Sequence, residues 1–253
     1  MSENLESAIK ELIKNKITEP NRPDLFRSPI VGFSSAHDSR YAELKSTVGS
    51  WHLNPTEILP QAESVISYFV PFTRDVIAGP KNADYSSEIW SEAYLIINEC
   101  FGETGKALSE MLVQWGYLAE TIPATHTFDP ATIECKWSHR SAACIAGMGS
   151  FGANRMLITS RGSGGRFCSV ITSARLTPGK EPAEERCLYN KSKSCGRCFE
   201  VCPANTLSGG SFDKFACQAQ TQRNREYMRE NSIQPESDTC GKCISVCPVA
   251  YIK

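Results

Sequence analysis

"CGRCFEVCP" (residues 195–203) and "CGKCISVCP" (residues 240–248) carry one pattern, C-x-x-C-x-x-x-C-P, twice near the end of a 253-residue chain. With Cys187 and Cys217 these motifs place eight of the twelve cysteines between positions 187 and 247, while Cys100, Cys135, Cys144 and Cys168 are scattered. Short spacings let one turn aim two sulfurs at one metal centre. Each proline then ends its segment by fixing φ and withholding an N–H donor. Disulfides would be out of place in a reducing compartment, so the crowding points to metal.

Composition sets the rest of the frame. Hydrophobic content of 41%, charged content of 22% and a formal charge of −1 describe an ordinary globular protein without a large field for nucleic acid or membrane. The N-terminal "MSENLESAIKELIKNKI" is charged throughout and lacks the apolar stretch of a secretory signal. Leu5, Ala8, Ile9, Leu12 and Ile13 recur at helical spacing, which predicts an amphipathic helix lying on the fold. No run reaches the length of a membrane span. A cytoplasmic protein is expected.

Two regions follow from the pattern. In residues 1–178, "SPIVGFSSA" (28–36) and "SVISYFVPF" (64–72) read as buried strands. Apolar positions from Ile89 to Trp115 predict one long helix, or two meeting near Gly102–Gly105. "KWSHRSAACIAGMG" (136–149) predicts a helix ending at its glycines, with strands at 155–160 and 166–176. Helices interleaved with strands imply an α/β sandwich. "TPGKEPAEE" (177–185) reads as a linker, and 221–238 as a polar surface helix plus loop. In residues 179–253 apolar positions are too sparse for an independent core, so something besides burial must hold that region.

Eight thiolates are what two [4Fe–4S] clusters require. In the bacterial run C-x₂-C-x₂-C-x₃-C-P, the last cysteine ligates the other cluster. On that logic Cys187, Cys195 and Cys198 share one cluster with Cys247, and Cys217, Cys240 and Cys243 share the second with Cys202. Cys187 departs from the run: eight positions separate it from Cys195, so "LYNKSKS" must bulge. The competing account, a zinc ribbon built from CGRC and CGKC, leaves Cys202, Cys247 and both Cys-Pro steps unexplained.

The segment "SHRSAACIAGMGSFGANRMLITSRGSGGRFCSVITSARL" (138–176), followed by the two Cys-Pro motifs with Cys217 between them, resembles the cobalamin-dependent iron–sulfur reductases. Epoxyqueuosine reductases and reductive dehalogenases are members. The resemblance implies an α+β protein: a nitroreductase-like α/β sandwich in 1–178, then a ferredoxin-like double-cluster domain in 179–253, with a corrinoid between them. It matches Gly147, Gly149, Gly152, Gly162 and Ser163 to the corrinoid-lining turns, and Arg166 to an arginine of the dehalogenases. Glycines let a backbone approach a flat macrocycle, and an arginine can bind its appendages.

The chain departs from that family at Ser150, Ala153 and Ser173, and its acidic proton donor has no clean counterpart. Asp129 and Glu134 are the candidates, with His139 a possible donor near neutral pH. The resemblance implies a small-molecule substrate and a low-potential electron donor, ferredoxin or flavodoxin. Because the sequence ends soon after Cys247, without the helical repeats of longer relatives, tRNA is not an expected partner; dehalogenation lacks a twin-arginine leader. Two alternatives stand beside the corrinoid enzyme: a carrier that reduces the corrinoid of a partner protein, and an FMN-dependent reductase on the same scaffold.

Overall fold

Both apolar runs expected as strands lie side by side at the centre of the fold. The structure is a computed structural model describing residues 2–124, 127–180, 184–208 and 211–253. Ahead of the cysteine tail run β1 (Ile30–Ser35), β2 (Ser64–Pro71), β3 (Ala119–Thr121), β4 (Gly149–Phe151), β5 (Leu157–Thr159) and β6 (Gly165–Thr172). A four-stranded antiparallel sheet forms in the order β1-β2-β6-β3, and β4 and β5 make a separate hairpin. The helices of this part are α1 (Ser2–Thr18), α2 (Ser39–Thr47), α3 (Pro55–Ile58), α4 (Arg74–Ala78), α5 (Glu88–Gln114) and α6 (His139–Ile145).

Every residue of β2 is buried, because helices cover the sheet on both faces. Successive side chains of a strand point to opposite faces. Ile66, Tyr68 and Val70 of β2, with Cys168 and Val170 of β6, join the core beneath α1 and α5. Val65 and Ile171 face the other way, with Trp137, Ala142 and Ile145 around α6. Leu5, Ile9, Ile13 and Ile17 form the buried stripe of α1. The result is a mixed α/β sandwich.

α5 is one uninterrupted helix of 27 residues, although each internal glycine costs it about 1 kcal/mol relative to alanine. Burial of Trp90, Ala93, Ile97, Phe101, Leu108 and Leu112 outweighs that cost. Gly105 also has a packing role, since a Cβ there would stand 3.3 Å from Thr121 of β3. The predicted helix over 136–149 is shorter than the pattern suggested, and β3 and β4 were not anticipated. Three-residue strands are too short to show alternation.

The tail contains α7 (Leu188–Ser192), α8 (Arg197–Glu200), the ribbon β7 (Leu207–Ser208)–β8 (Ser211–Phe212), α9 (Lys214–Glu230) and α10 (Lys242–Ser245). α9 begins seven residues ahead of the predicted polar helix because Asp213 caps it, accepting from the Phe215 and Ala216 amides at 2.9 and 3.0 Å. Lacking a core of its own, the tail borrows one. Ile244 and Ala250 belong to the main hydrophobic cluster, and Met228 is fully buried with its Sδ 3.6 Å from the Ser91 hydroxyl. Lys242 donates to the carbonyls of Pro80 and Ala83. Within the expected linker, Thr177 and Gly179 are tied to Glu6 and Phe33; residues 181–183 lie outside the described residues. Among the described residues no helix is long and apolar enough to cross a membrane.

Candidate metal and cofactor centre

The eight tail cysteines fall into two groups of four. Cys187, Cys195, Cys198 and Cys247 line one cavity together with Ile158, Leu188 and Tyr189. Burial pushes the Cys198 thiol up to about 11, and the fields of Cys247, Cys195 and Cys187 add to it. In the second group, burial and the neighbouring Cys240 and Cys202 push Cys217 up to about 11. Cys243 is raised by burial and by Cys240, Cys217, Cys198 and Cys202. Crowded thiols that resist ionising in the free protein are a donor set that a cationic iron centre would satisfy. Cys187, Cys195, Cys198 and Cys247, which line one cavity, are the four that the Cys-Pro spacing expects to share a centre. Among the described residues no group of three or more Cys, His, Asp or Glu closes on a point able to hold a single metal ion.

Both glycine turns read as corrinoid-lining serve the tail or the chain itself. Gly147 has φ +74° and would put a Cβ into the backbone of Lys180. Gly149 and Gly152 are pressed on Ile158, within the β4–β5 hairpin. That hairpin grips the tail: the Ala153 amide points at the Cys187 sulfur at 3.4 Å, Asn154 donates to the Cys243 carbonyl at 3.1 Å, and Asn190 donates to the Phe151 carbonyl at 2.9 Å. Gly162, at φ +98°, lies against the Ala250 carbonyl, which accepts from the Gly164 amide at 2.9 Å. Ser163 is buried beside Cys247; its hydroxyl, without a partner of full hydrogen-bond geometry, favours the Cys247 thiolate. The close backbone approach seen at these glycines is to protein: Lys180, Ile158 and Ala250.

A cleft of about 200 Å³ opens between α5, β3 and β6, lined by Asn98, Phe101, Gly102, Pro123, Ala124 and Ser169 among others. Arg166 lies at its edge. It donates to Asn98 Oδ1 at 2.9 Å and to the Ala124 carbonyl at 3.4 Å, and its guanidinium stacks 4.4 Å from the Tyr94 ring centroid. Arg140 is reached by solvent, yet protein surrounds it so closely that burial lowers its pKa, as does Arg166; Cys243 and Cys217 of the second quartet act in the opposite sense. It is anchored on the Arg155 carbonyl at 2.8 Å. Asn154, next to Arg155, donates to the Cys243 carbonyl at 3.1 Å, so Arg140 is anchored on the stretch that meets the second quartet.

His139 does not stand ready as a proton donor. Its Nε2 lies 3.1 Å from the Pro123 carbonyl, which can only accept, so that nitrogen carries the proton. Nδ1 then accepts from the Ser169 hydroxyl at 2.7 Å, and Ser169 in turn accepts from Trp137 Nε1 at 2.9 Å. Burial pushes the His139 pKa down to about 4, the Pro123 carbonyl opposes this, and Arg166 reinforces it. At neutral pH the ring is uncharged and fully used within the fold.

Asp129 and Glu134 close a small loop on each other's backbone, the Asp129 amide meeting the Glu134 carbonyl at 2.9 Å. The exposed Asp129 carboxylate accepts from the Ala131 and Thr132 amides at 2.8 and 3.0 Å, bonds that lower its pKa. It is thus held ionised at neutral pH, the wrong state for a proton donor. Neither residue lines the cleft. The sequence reading missed Asn98 and Ser169. A polar residue on an apolar helix face and a serine inside a buried strand were the available signals.

An antiparallel sheet sandwiched by helices, with a cysteine-rich tail closing over one end, is a fold known from oxidoreductases. Solved structures of epoxyqueuosine reductases and reductive dehalogenases share it. An epoxyqueuosine reductase from Bacillus subtilis, with its aspartate-bearing catalytic loop swung out of the active site, matches at a TM-score of 0.64 and 18% identity over 99% of this chain and 66% of its own. Another, in complex with an epoxyqueuosine-modified tRNA-Tyr stem loop, matches at 0.63 and 19% identity with the same coverage. A reductive dehalogenase whose structure suggests a mechanism for B12-dependent dehalogenation matches at 0.59 and 16% identity, over 87% of this chain and 29% of its own. The likeness is one of fold, and the chain spans 66% of the length of the epoxyqueuosine reductases. No protein-family model and no curated protein matches the chain.

Proposed function

We propose that this protein is an iron–sulfur reductase that carries low-potential electrons through two [4Fe–4S] clusters to a corrinoid. In this reading residues 1–178 form the nitroreductase-like corrinoid-binding part and 179–253 the ferredoxin-like part. One observation carries it: Cys187, Cys195, Cys198 and Cys247, drawn from both Cys-Pro motifs and the segment before them, line one cavity. Cys187, Cys195, Cys198 and Cys247 would hold one cluster, and Cys202, Cys217, Cys240 and Cys243 the other. The consecutive residues Ala153 and Asn154 reach the Cys187 sulfur and the Cys243 carbonyl, so the quartets are neighbours.

Arg140 and Arg166 fit the periphery of a corrinoid, whose amide and phosphate appendages are acceptors for a guanidinium. A cleft of about 200 Å³ suits a small substrate or one arm of the macrocycle, being below the roughly 300–1,000 Å³ of sites that enclose a whole drug-sized ligand. When bound, a corrinoid supplies a strongly reducing, nucleophilic cobalt. The chain's own residues would orient it through the two arginines and Asn98, while the Trp137–Ser169–His139 network stiffens the wall behind. The substrate proposed is a small molecule; recognition of tRNA belongs to the matched reductase and is not carried over.

Anaerobic purification with iron, sulfide and corrinoid analysis tests this. About eight irons per chain, as two cubes require, together with stoichiometric uptake of cobalamin, are expected. Eight irons without corrinoid binding would remove the enzyme reading. A released cofactor with a flavin spectrum would replace it.

A second reading, electron supply to the corrinoid of a partner protein, draws on one feature: the candidate proton donors Asp129, Glu134 and His139 are all engaged in the fold or outside the cleft. Cobalt reduction only when a separate corrinoid protein is added would favour it.

A further inference from the structure

The seven residues "LYNKSKS" between Cys187 and Cys195 are the place where the chain departs from compact cluster spacing. They do not bulge loosely. They form α7, ended by Lys193 in the left-handed conformation at φ 57°. Tyr189 packs edge-on against Phe199 with centroids 4.8 Å apart, Asn190 is tied to the Phe151 carbonyl at 2.9 Å, and Glu185 accepts from the Cys187 amide at 2.7 Å. The insertion is a built platform beside the first quartet.

Its charge is one-sided. From Arg186 to Phe199 the chain has four cations, Arg186, Lys191, Lys193 and Arg197, and no acid, in a protein whose net charge is −1. Lys191, Lys193 and Arg197 are exposed. Among the described residues the ion pair on this stretch is that of Arg186 with Glu184 at 3.9 Å. Glu185 is occupied by the Cys187 amide, and Glu200 stands at the end of α8. At the centre is Leu188, 39% exposed. Leu188, Tyr189 and Arg197 line the same cavity as Cys187, Cys195, Cys198 and Cys247. Lys193 lies over the Tyr189 ring at 4.2 Å, and an apolar spot ringed by cations without acidic partners beside the proposed cluster site suits a small, electrostatically steered encounter.

We propose that this face, Lys191, Lys193 and Arg197 around Leu188, docks an acidic one-electron carrier protein, and that electrons enter through the Cys187 quartet and leave through the Cys217 quartet. The proposal rests on the iron–sulfur reading above. One electron passes from the carrier to the iron held by the Cys187 quartet; no bond forms and no proton moves. Opposite charge on the carrier steers the approach, so the rate must fall as salt screens it.

The test uses full-length reconstituted protein and reduced flavodoxin as the probe, with cluster bleaching followed by stopped flow. In K191E/K193E the second-order rate at low salt should fall at least tenfold and lose its salt dependence, with K191Q/K193Q showing a smaller loss. Both variants should keep full iron content, unchanged midpoint potentials and unchanged reduction by dithionite. Reduction of the charge-reversed protein at the wild-type rate and salt dependence would overturn the docking face and leave the cluster reading standing. Wild-type protein that takes up no iron or sulfide would overturn both.

Discussion

The Thr206 hydroxyl lies 3.2 Å from the sulfur of Cys202. The Thr206 amide points at the same atom from 3.4 Å. Burial raises the proton affinity of Cys202, but these two groups, with the amides of Ala204 and Leu207, outweigh it and lower the pKa. Groups that favour a thiolate also favour the more negative, reduced state of a cluster bound to it. Thr206→Val keeps the shape and removes the hydroxyl. One of the two cluster potentials should become more negative, by about 40 mV, the one-electron equivalent of a hydrogen bond worth about 1 kcal/mol. Redox titration monitored by electron paramagnetic resonance would show this, and a shift in both clusters or in neither would refute the assignment of Cys202.

Cys187 is the proposed ligand whose spacing departs from the ferredoxin run, yet it lines a cavity with Cys195, Cys198 and Cys247. Cys187→Ala should reduce iron from about eight to about four per chain, since one complete set of four thiolates remains. Cys217→Ala should do the same through the other cluster. Full iron content in the Cys187 variant would mean that the inserted turn only covers the site.

His139 imposes a pH dependence on stability. Its pKa in the folded protein is about 4, below the unfolded value of about 6.5. The unfolded chain therefore binds the proton first as pH falls. The stabilising contribution is complete above about 6.5 and is lost as pH drops toward 4. Denaturation midpoints should decline over that window, and His139→Gln should flatten the decline while lowering stability at pH 7, since the bonds to Ser169 and Pro123 are disturbed. An identical pH profile in both proteins would exclude the histidine as its source.

Met228 tests how the tail is held. It is fully buried, with the Ser86 and Ser91 hydroxyls 3.9 and 3.6 Å from its sulfur. Met228→Ala should cost about 2–5 kcal/mol, measured by chemical denaturation of the cluster-loaded protein. Iron should then be lost at lower denaturant. If stability is unchanged, the clusters alone hold the tail in place.

Much of this protein was legible from local pattern. The cysteine spacing grouped Cys187, Cys195 and Cys198 with the distant Cys247, and those four line one cavity. The spacing of Leu5, Ala8, Ile9, Leu12 and Ile13 and the apolar runs 28–36 and 64–72 announced α1, β1 and β2, because helical and strand periods are written in hydrophobicity. What the glycines at 147–152 and 162 approach was not legible. A glycine marks a close contact without naming the neighbour: Gly149 and Gly152 meet Ile158 of their own hairpin, whereas Gly147 and Gly162 meet Lys180 and Ala250 from distant sequence. The state of His139 was equally hidden, since it depends on Ser169 from β6 and on the Pro123 carbonyl thirty and sixteen residues away. Sequence determined the clustering of cysteines and the periodic elements, both properties of neighbouring residues. Tertiary structure decided which groups meet, and thereby that the glycine turns clamp the tail and that the histidine stays neutral, because burial and hydrogen-bond partnership exist only once distant segments pack.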